Sequence, residues 1–169
     1  MPPLLRLNRV FCATSWELEG ERDAFYKVIG QFNEEAGMSK NILFVPVSLL
    51  NVADKRRFQH VIDENYRDCT YIIFALIDGW GPRERNFRGD YKRAMEWKND
   101  PSLPIRDVLY LEKKSDLDEP RDQTLPEPHL TFETTAEFSA EIRKLLAGWL
   151  ADLAAEETAN GAYPASGGS

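Results

Sequence analysis

An apolar run near the middle of the chain, Thr70-Tyr71-Ile72-Ile73-Phe74-Ala75-Leu76-Ile77, leaves few folds open. It is short, rich in β-branched and aromatic residues, and closed by Asp78-Gly79-Trp80-Gly81-Pro82, so it reads as a strand buried on both faces. Such strands belong in the middle of parallel sheets covered by helices on both sides. Ligands of open α/β sheets bind beyond the carboxyl ends of the strands. The loop from Asp78 to Asp90 is therefore the first candidate for a working surface.

The flanking pattern alternates strand and helix. A first strand over Leu7 to Cys12 or Ala13 leads into a helix reaching Ala36, with Phe25, Val28, Ile29 and Phe32 on one face, Gly20 marking its start and Gly37 as its C-cap. Thr14 and Glu17 have capping-box spacing. Ile42 to Val47 is the second strand, and Pro46 either assigns it to a sheet edge or stands at its last residue. A helix from Val52 or Asp54 to Tyr66, with Phe58, Val61 and Ile62 inward, precedes the central run. A short helix begins near Tyr91, with Ala94 and Met95 inward. A fourth strand follows over Ile105 to Leu111, then a brief edge strand near Leu130 and a long amphipathic helix from Thr134 or Thr135. This alternation predicts a three-layer α/β fold with a mostly parallel sheet of four to five strands, and the length favours a flavodoxin-like order 2-1-3-4-5. Residues 1–157 read as one domain and 158–169 as a disordered tail or linker. The acidic stretch from Glu112 to Pro128 is either a long connection or a lid.

Bulk properties exclude several classes. The net charge is −7, with 28 acids against 21 bases, which opposes a nucleic-acid binder. No apolar stretch approaches the ~18–20 residues that span a bilayer, and no export signal is visible, so a cytoplasmic location is expected. Cys12, Cys69, His60 and His129 match no metal-ligand spacing, and no metal site is expected. The chain lacks the glycine patterns of dinucleotide and P-loop folds and the nucleophile elbow of hydrolases.

The candidate site residues each carry two readings. Thr14 and Ser15 end the first strand and either cap the next helix or hold a phosphate or ribose. Cys12 and Cys69 read as small buried residues. Asp78 either binds ribose hydroxyls or a cation or caps its own loop. Trp80 either stacks on a base or anchors the loop. Arg83, Arg85, Arg88, Lys92, Arg93 and Lys98 form a basic segment in an acidic chain. They suit a small phosphorylated ligand or pair with Asp116, Asp118 and Glu119. Glu19, Glu21 and Asp23 read as a solvated helix face.

These residues also support a comparison. The stretch from Val10 to Ala24, with its turn Cys12-Ala13-Thr14-Ser15 and its pair Glu21-Arg22, resembles the opening of a TIR-like family, the domain-of-unknown-function 4062 group. Asp78-Gly79-Trp80-Gly81 looks like that family's strand followed by an aromatic-glycine turn. Asp90-Tyr91-Lys92-Arg93-Ala94 is similar to a signature shared with TIR domains and nucleoside 2-deoxyribosyltransferases. The resemblance covers Arg9 to Trp149. It implies a flavodoxin-like domain at the amino end of a larger signalling or defence protein, with a nucleotide or other small phosphorylated ligand as the expected partner and a homo-oligomer as a candidate one. Catalytic relatives cleave the N-glycosidic bond of NAD or a nucleoside, as substrate rather than resident cofactor, using a glutamate whose match here is Asp90. In that scheme Thr14 and Ser15 hold ribose or phosphate, Asp78 orients ribose hydroxyls, and Arg83 or Arg85 meets a pyrophosphate. Aspartate is one methylene shorter than glutamate, and a misplacement of about 1 Å can cost ~100-fold. The resemblance therefore leaves a non-catalytic interaction module as the alternative.

Overall fold

The structure, a computed structural model, describes residues 2, 4–48, 63–81, 86–114 and 125–161. The strands are β1 (Arg6–Thr14), β2 (Ile42–Val47), β3 (Tyr71–Ile77), β4 (Asp107–Lys113) and β5 (Leu130–Phe132). The helices are α1 (Glu19–Phe32), α2 (residues 63–68), α3 (Phe87–Lys98) and α4 (Thr135–Gly161). The strands form one sheet in the order β2-β1-β3-β4-β5, the flavodoxin-like arrangement, and every pairing is parallel. Pro46 lies in edge strand β2, where its missing N–H costs no ladder bond on the open side.

The two faces of the sheet build two cores. Val10 and Cys12 of β1 and Tyr71, Ile73 and Ala75 of β3 pack against α1 and α4. Phe11, Ala13, Ile72, Phe74 and Leu76 pack against α2 and α3. This strict alternation is why β3 reads as an unbroken apolar run: both of its faces are interior. On the first face Trp149 of α4 stacks on Tyr71 with ring centroids 3.9 Å apart.

Several boundaries differ from the sequence expectation, each for a local reason. Helical backbone continues past α1 through Lys40 and ends at Asn41, which is left-handed at φ 57°. Gly37 lies inside that run at φ −68° and is not the cap. A Cβ on Gly37 would lie 2.4 Å from the Ile42 carbonyl oxygen, so the glycine permits a close crossing onto β2. α3 starts at Phe87 because Asn86 caps it, its side chain accepting from the Gly89 N–H. β4 begins later than Ile105 and extends to Lys113, since Leu76 and Ile77 pair with Glu112 and Lys113. α4 runs on to Gly161, past the expected limit at Thr158, whose hydroxyl donates to the Ala154 carbonyl. The start of the second helix with Phe58, Val61 and Ile62 lies outside the described residues, as do residues 115–124 of the acidic stretch. No described helix is long and apolar enough to cross a membrane.

Candidate functional site

Adjacency of β1 and β3 brings their outgoing turns to one edge of the sheet. β1 reaches that edge with Thr14, which pairs with Ala75. Ser15 follows in extended conformation, then a single 3-10 turn, Trp16–Leu18, held by a bond from the Leu18 N–H to the Ser15 carbonyl (3.0 Å). Neither candidate cap acts as one, for the Ser15 side chain makes no cap bond. Thr14 Oγ1 instead accepts from Arg22 Nη1 at 3.2 Å, and both residues are buried. Ser15 is 1% exposed, and its hydroxyl has no hydrogen-bond partner among the described residues.

The turn after β3 is built from left-handed backbone. Asp78 has φ 48°, Gly79 φ 102° and Gly81 φ 68°. An aspartate tolerates this region better than most side chains do, and glycine enters it freely. The Asp78 N–H donates to the Lys113 carbonyl at 3.2 Å. The Tyr110 hydroxyl donates to the Gly79 carbonyl, and burial pushes that phenol well above its ordinary range. Trp80 is buried against Tyr91 and Tyr110, with ring centroids 5.4 and 5.1 Å away. It anchors the loop rather than offering a stacking surface. Trp16, beside Ser15, is an open aromatic ring at 75% exposure.

A polar cluster joins the two turns. Lys113, whose backbone receives the Asp78 N–H, extends its ammonium to within 2.6 Å of Glu21 Oε1. The Thr135 hydroxyl at the start of α4 donates to the same oxygen at 3.4 Å. Glu21 and Arg22 are 2% and 5% exposed, so the expected solvated face is interior at this position. The sequence did carry a signal for them. Leu18, Glu21, Arg22, Phe25, Val28, Ile29 and Phe32 recur at helical spacing, and two charged residues inside an apolar stripe must be buried with it.

No family model matches the chain, and no curated protein matches it.

The other candidates are placed by α3 and its contacts, where they are described. Asp90 is 1% exposed in the first turn of α3, with its Oδ1 2.5 Å from Arg93 Nη2. The same guanidinium nitrogen lies 3.3 Å from Asp63 of α2. Arg83 and Arg85 lie outside the described residues. Of the other bases in that segment, Arg93 is bound to Asp90 and Asp63 and Lys98 to Asp107, while Arg88 and Lys92 are exposed. Burial pushes the Cys12 and Cys69 thiols up to about 12, which keeps both protonated and poor nucleophiles. Among the described residues no group of three or more His, Cys, Asp or Glu side chains is placed to hold a metal. A groove of about 500 Å³ runs between α1 and α4 from Thr135 to Arg143, and neither Thr14, Asp78 nor Asp90 lines it.

Proposed function

We propose that this chain is a TIR-like domain of the domain-of-unknown-function 4062 type that binds a nucleotide at the carboxyl edge of its sheet, in a signalling or defence role. The observation that carries this reading is the meeting of the two turns through Lys113, which receives the Asp78 N–H and grips Glu21. The strand order reverses between β1 and β3, and that crevice is where open α/β sheets take their ligands. Thr14 and Ser15 then face the ribose-phosphate portion, and the Asp78 turn closes the other side. Binding without turnover is the favoured form. Asp90, the match to the catalytic glutamate of the resembled families, is held by Arg93 inside the α2–α3 layer. Cleavage of an N-glycosidic bond would require this carboxylate to reach a ribosyl carbon.

Calorimetric titration of the intact chain with AMP and with NAD tests the reading. Saturable binding of either supports it. Absence of heat for both at millimolar ligand removes it, and steady release of nicotinamide from NAD replaces the binding form with a catalytic one. The second reading, a non-catalytic self-association module, draws on Leu4 and Leu7, which are 93% and 62% exposed at the opposite end of β1. Concentration-dependent sedimentation that Leu7→Lys abolishes would favour it.

A further inference from the structure

Arg22 is charged, interior and unbalanced. It is 5% exposed, and among the described residues no carboxylate forms an ion pair with its guanidinium. Among the described residues its guanidinium bonds to a neutral hydroxyl, Thr14 Oγ1, and its buried Nε has no partner. The neighbouring titratable groups do not supply a negative charge either. Burial holds the Cys12 thiol and the Tyr26 phenol above their ordinary values, so both are neutral near pH 7. The adjacent acid, Glu21, is taken by Lys113. A guanidinium cannot escape by losing its proton, and a buried charge without a counter-ion costs several kcal/mol.

The cost is concentrated at one place. Ser15 Oγ, a second buried donor without a partner among the described residues, belongs to the residue that follows the threonine bonded to Arg22. Both sit at the amino end of α1, whose dipole favours negative charge. A core chosen for stability alone would fill these positions with apolar side chains, since buried charges are commonly replaced by hydrophobes without loss.

We infer that Arg22 and Ser15 form a built anion site for a phosphate group, the guanidinium supplying the counter-charge and the serine hydroxyl a second donor. The inference rests on the carboxyl-edge reading for its place in the fold and names the residues that take the phosphate. The turn Trp16–Leu18 follows Ser15 directly and is anchored by Leu18 in the core, so a phosphate reaching Ser15 has to displace part of this turn.

The test uses melting of the intact chain in sodium phosphate and in sodium chloride at matched ionic strength, with AMP and adenosine as further arms. Phosphate should raise the melting temperature by about 5–10 °C at a hundred-fold excess over Kd, and chloride should not. Arg22→Met should melt in chloride at or above the wild-type temperature and lose the phosphate response. A merely structural arginine would instead leave a destabilised variant in both salts. Ser15→Ala should keep the chloride melting temperature and weaken phosphate binding by about tenfold. It decides the matter if Arg22→Met does not fold. A wild-type chain indifferent to phosphate, or variants that keep the full response, overturns the site. If AMP binds equally well to wild type and Arg22→Met, this inference fails and the nucleotide reading stands. If phosphate binds and AMP gains nothing over it, the anion site stands and the nucleotide reading fails.

Discussion

The Lys113 ammonium lies 2.6 Å from the Glu21 carboxylate, tying the last residue of β4 to the first turn of α1. Glu21 is nearly inaccessible to water, while the lysine side chain is about a quarter exposed. The two partners are therefore unequal. Removing the lysine strands a buried carboxylate, and that loss is larger than the net worth of the pair. Lys113→Met should destabilise the chain by about 3 kcal/mol, and adding Glu21→Gln should recover part of it. Urea midpoints at constant slope measure both. A cost below about 0.5 kcal/mol, the scale of an exposed pair, would mean that the carboxylate is solvated.

This pair also marks how far the sequence could be read. The sheet order follows from alternation and length because a buried parallel strand has an unmistakable composition, as Tyr71 to Leu76 demonstrates. Local rules located Thr14, Ser15 and Asp78 at strand ends for the same reason. What local rules could not supply was partnership. Thr14 and Glu17 have the spacing of a capping box, yet the threonine oxygen turns to Arg22, eight residues on. The same spacing at Thr134 and Glu137 does act at a helix start, where Thr134 Oγ1 accepts from the Glu137 N–H at 3.1 Å. The difference is burial: Thr134 is exposed and has its own helix to cap, whereas Thr14 is enclosed beside a guanidinium that needs an acceptor. Trp80 was ambiguous because a tryptophan after a strand packs or projects according to what lies beneath it. Here Tyr110 and Tyr91 lie beneath it.

Gly37 offers a purely steric test. A Cβ there would lie 2.4 Å from the Ile42 carbonyl oxygen, and that oxygen is backbone, so no side chain can swing away. Its φ of −68° is ordinary, so alanine meets no torsional objection and would improve helix propensity by about 1 kcal/mol. The clash should outweigh that gain. Gly37→Ala is expected to lose about 1–3 kcal/mol by chemical denaturation. A stabilised variant would mean that α1 and β2 separate more easily than their packing suggests.

The two cysteines fix an alkaline limit. Their folded thiols titrate at about 12 against an ordinary value of 9.0. Below pH 9 both states are protonated and the native state keeps its full advantage. Above it the unfolded chain releases protons that the folded chain retains, so stability falls as pH rises. The loss should be about 1 kcal/mol per thiol between pH 9 and 10. Cys12→Ala should flatten the profile by one thiol's share. The native protein should also leave a disulfide reagent unconsumed at pH 8 and react at both residues in denaturant. Fast reaction of Cys12 in the native state would place it in an open, electropositive setting rather than a core.

Asp90 has a structural use that can be measured apart from any catalytic one. Its carboxylate meets Arg93 at 2.5 Å, and the arginine in turn meets Asp63 at 3.3 Å, so one guanidinium joins α3 to α2. An acid in the first turn of a helix also gains from the helix dipole. Asp90→Ala should cost about 2 kcal/mol. The loss stays moderate because Arg93 is partly exposed and keeps Asp63. Asp63→Ala should be non-additive with it, since both act through the same guanidinium. On the proposed Arg22 site, which α1 carries on the opposite face of the sheet from α3, AMP affinity should change by less than about twofold. If instead Asp90→Ala leaves the urea midpoint untouched and lowers AMP affinity more than about tenfold, equal to 1.4 kcal/mol, the carboxylate faces the ligand. The site would then have to be redrawn around α3.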